Sequence, residues 1–274
     1  MAEQKMGSMV FTQTALRDFA ACPRRFQLRY LQRLPWPQAP LSGPSALAIE
    51  RGRHLHRLIE RHLLGIPIDA ELIADATLRG WWLSFLRNGP TFPHGRRWQE
   101  HRLTIPIDDH YLHGRFDLLI VTESGDSPAA FLYDWKTSRP RPLSALRNDW
   151  QTRLYLAMVA ESGTALTSGT GPMSAEALTM TYWYAAEPDQ PRAIPYSQAE
   201  HTHNWALLKE TIARIMAQPV DKTWPLTTDL EECRRCAYQV FCGRQSAGAA
   251  LDQRDESETG EAATPIEVVE PYTP

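Results

Sequence analysis

Apolar and polar positions alternate along residues 131–137, the stretch FLYDWKT, and the alternation predicts a strand with two unlike faces. Side chains two apart share a face, so Leu132, Asp134 and Lys136 fall on one side and Phe131, Tyr133 and Trp135 on the other. A second strand is predicted over 113–121, where Gly114 and Asp117 precede the apolar run Leu118, Leu119, Ile120, Val121. The turn-rich residues 123–128 between them predict a hairpin, which sets Asp117 beside Asp134. Residues 99–107 alternate as a third strand and Asp108-Asp109-His110 reads as a turn, so the sheet starts as a meander over 99–107, 111–121 and 130–137. A further strand is expected over 178–185, with Leu178, Met180, Tyr182 and Tyr184 on one face and Thr179, Thr181 and Trp183 on the other.

Elsewhere the apolar positions recur every three to four residues, the period of a helix with one buried face. A helix is expected from Thr12, capped by Thr12 or Thr14 and broken or re-aimed at Pro23, with Cys22 near its end. After a Pro-rich loop over 35–44, residues 46–64 predict a stronger helix with Leu55, Leu58, Ile59, His62 and Leu63 as its buried stripe. Gly52, His56 and Glu60 recur every four residues along an adjoining line of that helix. Gly inside a helix costs roughly 1 kcal/mol against Ala, so Gly52 asks for a close backbone approach. Residues 69–87 predict another helix, whose Trp81, Trp82, Phe85 and Leu86 belong in a core, followed by a loop over 88–95. Helices are also expected over 150–161, with Gln151, Leu154, Tyr155 and Met158 along one side, and over 201–217, stopped by Pro219. Residues 162–174 predict a mobile loop, and residues 1–9 a disordered or mis-assigned start.

At 274 residues and 43% hydrophobic content, one main domain with a real core is expected. No apolar run approaches the roughly 20 residues that span a bilayer, and no basic segment followed by a long apolar one opens the chain, so a cytoplasmic protein without a membrane is expected. The net charge of −3 hides an asymmetry: residues 251–274 hold seven acids and one base, so the rest is mildly basic. That tail, from about residue 247 on, is too acidic and too poor in apolar residues to fold. Arginines cluster as Arg24, Arg25, Arg29 and Arg33 and again as Arg51, Arg53, Arg57 and Arg61, either as solvated helix faces or as a path for phosphates. The four cysteines are Cys22 and, about 210 residues on, Cys233-x2-Cys236-x5-Cys242; in a reducing compartment this spacing argues for metal over disulfides. Neither an internal repeat nor a G-x-x-x-x-G-K-[ST] phosphate loop is present, which excludes an ATPase motor of that type.

The sequence of a helix with Gly52-x3-His56, a strand with Gly114-Arg115-Phe116-Asp117, a strand with Asp134-Trp135-Lys136 and a helix with Gln151-x3-Tyr155 resembles the PD-(D/E)XK nuclease superfamily, and within it the RecB-like branch. The resemblance covers most of residues 11–243 and implies an α/β fold of the restriction-endonuclease-like kind, a central mixed sheet flanked by helices. It implies that His56, Asp117 and Asp134 bind Mg2+ or Mn2+, that Lys136 assists catalysis, and that Gln151 and Tyr155 belong to the site or its substrate groove. The residue types suit phosphodiester hydrolysis, which needs a cation on a non-bridging oxygen and an activated water. Imidazole in the set favours Mn2+ over the harder Mg2+. Arg115 and Phe116 stand where the superfamily often has Pro before the first Asp; His54 competes with His56 and is set aside because His56 keeps the spacing from Gly52; Glu60 or Glu100 is expected behind the ligands.

Cys22-Pro23-Arg24-Arg25-Phe26 together with the C-terminal cysteine triplet resembles the iron-sulfur nucleases of this branch, the AddB nuclease domain and the CRISPR-associated RecB-like exonuclease. That likeness implies a [4Fe-4S] cluster on Cys22, Cys233, Cys236 and Cys242 joining the segments 11–33 and 231–243, with zinc as the alternative four-thiolate occupant. The expected whole is a nuclease domain over 10–246 with a tail over 247–274, acting on DNA that is single-stranded or has free ends. Such an exonuclease leaves 5'-phosphates and works in repair, recombination or CRISPR adaptation, alongside a separate helicase or adaptation proteins. The rival expectation is a non-catalytic metal-cluster protein that keeps the fold and binds nucleic acid or a partner.

Overall fold

The computed structural model describes residues 7–35, 43–123, 128–167 and 173–248. Its strands β1 (Val10–Phe11), β2 (Arg96–Ile107), β3 (His110–Thr122), β4 (Ala129–Lys136), β5 (Leu178–Tyr184) and β6 (Arg192–Pro195) form one six-stranded mixed sheet. Around the sheet lie α1 (Gln13–Ala21), α2 (Pro23–Phe26), α3 (Gly43–Leu63), α4 (Ala76–Asn88), α5 (Leu143–Arg147), α6 (Trp150–Glu161), α7 (Gly163–Leu166), α8 (Gln198–Met216) and α9 (Leu230–Arg234). β3 is the hub: one edge pairs antiparallel with β2, and the other takes β4 antiparallel at its C-terminal half and β1 parallel at Tyr111 and Leu112. β4 and β5 run parallel from Ala130↔Leu178 to Lys136↔Tyr184, joined by a crossover through α6, and β6 closes that side antiparallel.

The alternation in β4 sorts its side chains between two cores. Leu132 packs with Leu16, Phe19, Leu154, Met158 and Leu208 beneath α1, α6 and α8. Tyr133 and Trp135 pack with Leu55, Ile59, Trp82, Phe85 and Trp183 beneath α3 and α4. Helices therefore cover both faces, which explains why the middle of β3 is buried without a break from Phe116 to Val121. Alternation in β3 shifts at Asp117: Leu112 and Phe116 share a core with Leu119 and Val121, whereas Leu118 and Ile120 turn to the other. Opposite Asp117 in the β2 register stands Glu100, at φ 49, a left-handed backbone that a glutamate holds only under constraint.

Several expectations need correction. The helix expected over 69–87 is split: Asp69 accepts from Glu71 N at 2.9 Å to cap a single 3-10 turn, Ala70–Leu72, and Asp75 accepts from Leu78 N at 2.9 Å to begin α4 afresh. His62 is exposed, touching Trp82 and Phe85 edge-on, and Leu86 is exposed as well. His110 belongs to β3, because Ile107 pairs with His110 and the turn is only Asp108 and Asp109, with Asp108 at φ 49. Gly163–Leu166 is helical, where a loop is expected; residues 168–172 lie outside the described residues, as do 1–6, 36–42, 124–127 and 249–274. Met9, expected in a patternless start, is buried, and its carbonyl accepts Tyr111 N at 2.9 Å.

Thr12 caps α1 by accepting Ala15 N at 3.2 Å, and Cys22, with φ −163 and ψ 111, is the extended residue at which Pro23 restarts the helix. The described N-terminal and C-terminal segments come together here through ordinary contacts. Arg24 N donates to Pro225 O at 3.1 Å, Gln27 Oε1 accepts Trp224 N at 2.9 Å, and the Phe26 and Trp224 rings stack with centroids 5.8 Å apart. Arg25 is buried between Glu232 Oε2 at 2.8 Å and Asp18 Oδ1 at 3.5 Å, and Arg29 pairs with Asp18 Oδ2 at 2.8 Å. These two arginines are consumed within the fold, so that part of the first arginine cluster is neither a solvated face nor a phosphate path. Among the described residues no helix is long and apolar enough to cross a membrane.

Candidate active site

The residues singled out by spacing converge on one cleft of about 360 Å³, lined by Gly52, Arg53, His56, Arg57 and Glu60 from α3, Glu100 from β2, Arg115 and Asp117 from β3, Asp134 and Lys136 from β4, and Gln151 and Tyr155 from α6. His54 faces a neighbouring groove with Arg51 and Arg61, which leaves His56 as the imidazole of the cleft. The β3–β4 ladder is paired up to Leu118↔Tyr133, and beyond it the Asp117 side chain takes over, with Oδ2 accepting Trp135 N at 2.8 Å. This splaying frees both acids to face the cleft.

His56 Nε2 lies 2.9 Å from Trp135 O and Nδ1 lies 3.4 Å from Asp117 Oδ1. A carbonyl accepts only, so Nε2 carries a proton and Nδ1 turns to the acids. Burial pulls the His56 pKa down, but Asp117, Asp134 and Glu100 outweigh it and push the value up to about 9. For Asp117 the upward push of burial is overcome by His56 and the Trp135 N–H, and its carboxyl is held low. Asp134 goes the other way: burial and then the repulsion of Asp117 raise it despite Lys136. Its Oδ1 accepts Gln151 Nε2, while Oδ2 sits 2.8 Å from Lys136 Nζ without completing a hydrogen bond. Lys136 Nζ also donates to Gln151 Oε1 at 3.1 Å, and its pKa is raised because the two aspartates outweigh burial. One amide thus holds both the carboxylate and the ammonium.

Glu100 was expected only as a supporting acid, yet His56, Glu100 and Asp117 each offer a ligand atom within 4.8 Å of the others. Burial and Asp117 raise the Glu100 carboxyl to about 7, against Arg115, whose Nε is 3.3 Å away. The register could have found it: once the turn is limited to Asp108 and Asp109, Glu100 must face Asp117.

α6 is set by its first turn. Asp149 accepts Gln151 N at 2.9 Å and binds Arg17 at 2.9 Å and Arg141 at 2.6 Å; against burial, these hold its carboxyl down to about 2. Tyr155 lies against Phe116, centroids 4.7 Å apart, and over Gly114. A Cβ on Gly114 would meet Tyr155 Cε1 at 2.9 Å and Met158 Sδ at 3.3 Å, and both residues are buried. Gly114→Ala is therefore expected to lower stability by about 1–3 kcal/mol through overpacking, read as a fall in the denaturant midpoint at unchanged slope.

The four cysteines line a second, small cavity with Arg25, Glu232, Tyr238 and Arg244. None is in a disulfide; Cys22 and Cys233 are buried. Burial raises the Cys236 and Cys242 thiols, and the neighbouring cysteines add to it.

A comparison with protein families matches residues 10–243 to the PD-(D/E)XK nuclease superfamily. No curated protein gives a significant match. Members of this superfamily are in general metal-dependent nucleases, and they typically use Mg2+ or Mn2+. With 234 of its residues spanned by that match and its motif residues gathered in one cleft, the chain belongs to the PD-(D/E)XK nuclease superfamily.

Proposed function

We propose that this chain is a deoxyribonuclease of the RecB-like branch, an exonuclease that digests single strands or free ends and leaves 5'-phosphates. One observation carries the reading: the imidazole of His56, the carboxylates of Glu100, Asp117 and Asp134, the ammonium of Lys136 and the amide of Gln151, from α3, β2, β3, β4 and α6, face one cleft. The donors suit a divalent cation. His56 Nδ1 is the nitrogen left over from Trp135 O, and Asp117, Glu100 and Asp134 bring carboxylate oxygens to the same cleft, where His56, Glu100 and Asp117 each offer a ligand atom within 4.8 Å of the others. His56, Asp117 and Asp134 would hold Mg2+ or Mn2+, with Glu100 beside them. The ion supplies positive charge to a non-bridging phosphate oxygen and lowers the pKa of the attacking water.

Lys136 contributes the remaining charge. Held by Asp134 and Gln151, its ammonium can orient that water or offset the negative charge that grows on phosphate in the transition state. Gln151 is a positioning residue for both, and Tyr155 forms part of the groove floor. Arg53 and Arg57 on the rim offer phosphate contacts.

The nuclease unit is taken as residues 10–246, including the cysteine segments 11–33 and 231–243. A [4Fe-4S] cluster on Cys22, Cys233, Cys236 and Cys242 is preferred to zinc. The preference rests on the likeness of Cys22-Pro23-Arg24-Arg25-Phe26 and the C-terminal cysteine triplet to the iron-sulfur nucleases of this branch, and the four cysteines line one small cavity. Repair, recombination or CRISPR adaptation, with a separate helicase or adaptation proteins as partners, is the setting that this branch suggests.

The test is direct. The purified protein is incubated with end-labelled single-stranded DNA and Mn2+, alongside Lys136→Ala. Degradation by the parent and at least about a hundredfold less by the variant is expected. No degradation by either points instead to a protein that binds nucleic acid without cutting it.

A further inference from the structure

Gln13, the first residue of α1, is only 3 % exposed, yet it lines the cleft beside Lys136, Gln151 and Tyr155. Its Oε1 is turned toward Arg17 Nη2 at 3.5 Å, and Arg17 is fixed in turn by Asp149 Oδ1 at 2.9 Å, the residue that caps α6 ahead of Gln151. The carboxamide is thereby oriented with its oxygen toward α1. Its Nε2 has no hydrogen-bond partner among the described residues and is not one of the fully buried polar atoms, so it opens on the cleft that Gln13 lines. The acids of the cleft are bonded to other groups: Asp134 Oδ1 accepts Gln151 Nε2, and Asp117 Oδ2 accepts Trp135 N while Oδ1 faces His56.

A second feature points the same way. α1 is nine residues long, and its N-terminal N–H groups begin at Gln13; Thr12 Oγ1 satisfies the one on Ala15. The start of the helix presents partial positive charge where Gln13 presents two N–H donors. A ligand for this corner must accept hydrogen bonds and carry negative charge. Phosphate oxygens do both.

We infer that Gln13 and the first turn of α1 form a subsite for a non-bridging oxygen of the phosphodiester next to the scissile one. This rests on the nuclease reading for the substrate, but not on the roles given to the metal ligands. Gln13 is the donor, Arg17 orients it, and Asp149 couples the orientation to Gln151. The subsite fixes the strand so that the next linkage lies over Asp134 and Lys136.

Steady-state cleavage of a single-stranded oligonucleotide in Mn2+ is measured for the parent, Gln13→Ala and Gln13→Glu. Gln13→Ala is expected to raise KM about tenfold with kcat within about threefold, and Gln13→Glu to raise KM further because a carboxylate repels phosphate. Binding is read separately by fluorescence anisotropy with Lys136→Ala as background, so a failure of the nuclease reading and a failure of this one are told apart. Thermal midpoints are taken for each variant. Gln13→Glu keeps the size of the side chain and carries the test should Gln13→Ala not fold. A neutral methylphosphonate is then moved one linkage at a time along the oligonucleotide. At one linkage it should close the affinity gap between Lys136→Ala alone and Lys136→Ala combined with a Gln13 substitution. Equal affinity with and without both Gln13 substitutions overturns the subsite; a gap that survives at every linkage overturns the phosphate assignment.

Discussion

Asp117→Asn is expected to lower Mn2+-dependent cleavage by a factor of about a thousand or more while the protein stays folded. The substitution keeps the size of the side chain and one carbonyl-type acceptor, so the Trp135 N–H that Asp117 Oδ2 now accepts at 2.8 Å retains a partner. What disappears is a full negative charge just beyond the last β3–β4 pair, Leu118↔Tyr133. Loss of a carboxylate ligand removes several kcal/mol of charge stabilisation, and about 4 kcal/mol is a thousandfold in rate. A readout that does not depend on turnover follows from His56. Its pKa stands at about 9 because Asp117, first among the acids, overcomes burial. Without that charge burial gains ground, and the imidazole should titrate at lower pH by NMR in the metal-free variant. Turnover within tenfold of the parent would remove Asp117 from the ligand set.

The strand and helix patterns bring these residues to one cleft because they sit on regular elements. β4 keeps strict alternation, so Asp134 and Lys136 reach the α6 side while Tyr133 and Trp135 pack beneath α3 and α4, as period two requires. α6 puts Gln151 and Tyr155 one turn apart on the same buried face. What stayed hidden depends on exceptions to period. Glu100 turns toward the acids from a left-handed backbone that no propensity favours, and Asp117 marks a shift in the alternation of β3. β1 has two residues and β6 four, too few for a period to register. α4 begins at a second cap, Asp75, inside a stretch whose apolar spacing runs on unbroken. Arg25 and Arg29 resemble surface arginines until Asp18 and Glu232 arrive from elsewhere in the chain. Gln13 has no pattern at all: only its burial in the cleft wall distinguishes it.

Cys22→Ala is the substitution expected to harm stability most, and the loss should appear in one part of the molecule. The proposed four-thiolate cluster would join residues about 210 apart, and on the loop-closure account of cross-links that constraint would be worth roughly 5 kcal/mol. For a domain of this size the thermal midpoint should fall by about 10–20 °C. The cluster would not act alone, since the Phe26–Trp224 stack, the Arg25–Glu232 pair and the 2.8 Å bond from Tyr238 OH to Leu34 O hold the same ends together. Those contacts lie outside the sheet, so the expected lesion is local. Hydrogen exchange should quicken over residues 218–248 and α2 while β3, β4 and α6 stay protected. The parent, prepared without air, should be brown with broad absorbance near about 400 nm and contain iron that Cys22→Ala lacks. Stoichiometric zinc in a colourless parent would replace the cluster but keep the metal link. A parent that holds no metal and melts with Cys22→Ala would end that link, leaving the aromatic stack, the buried Arg25 and the Tyr238–Leu34 bond to fasten residues 22–34 to residues 222–238.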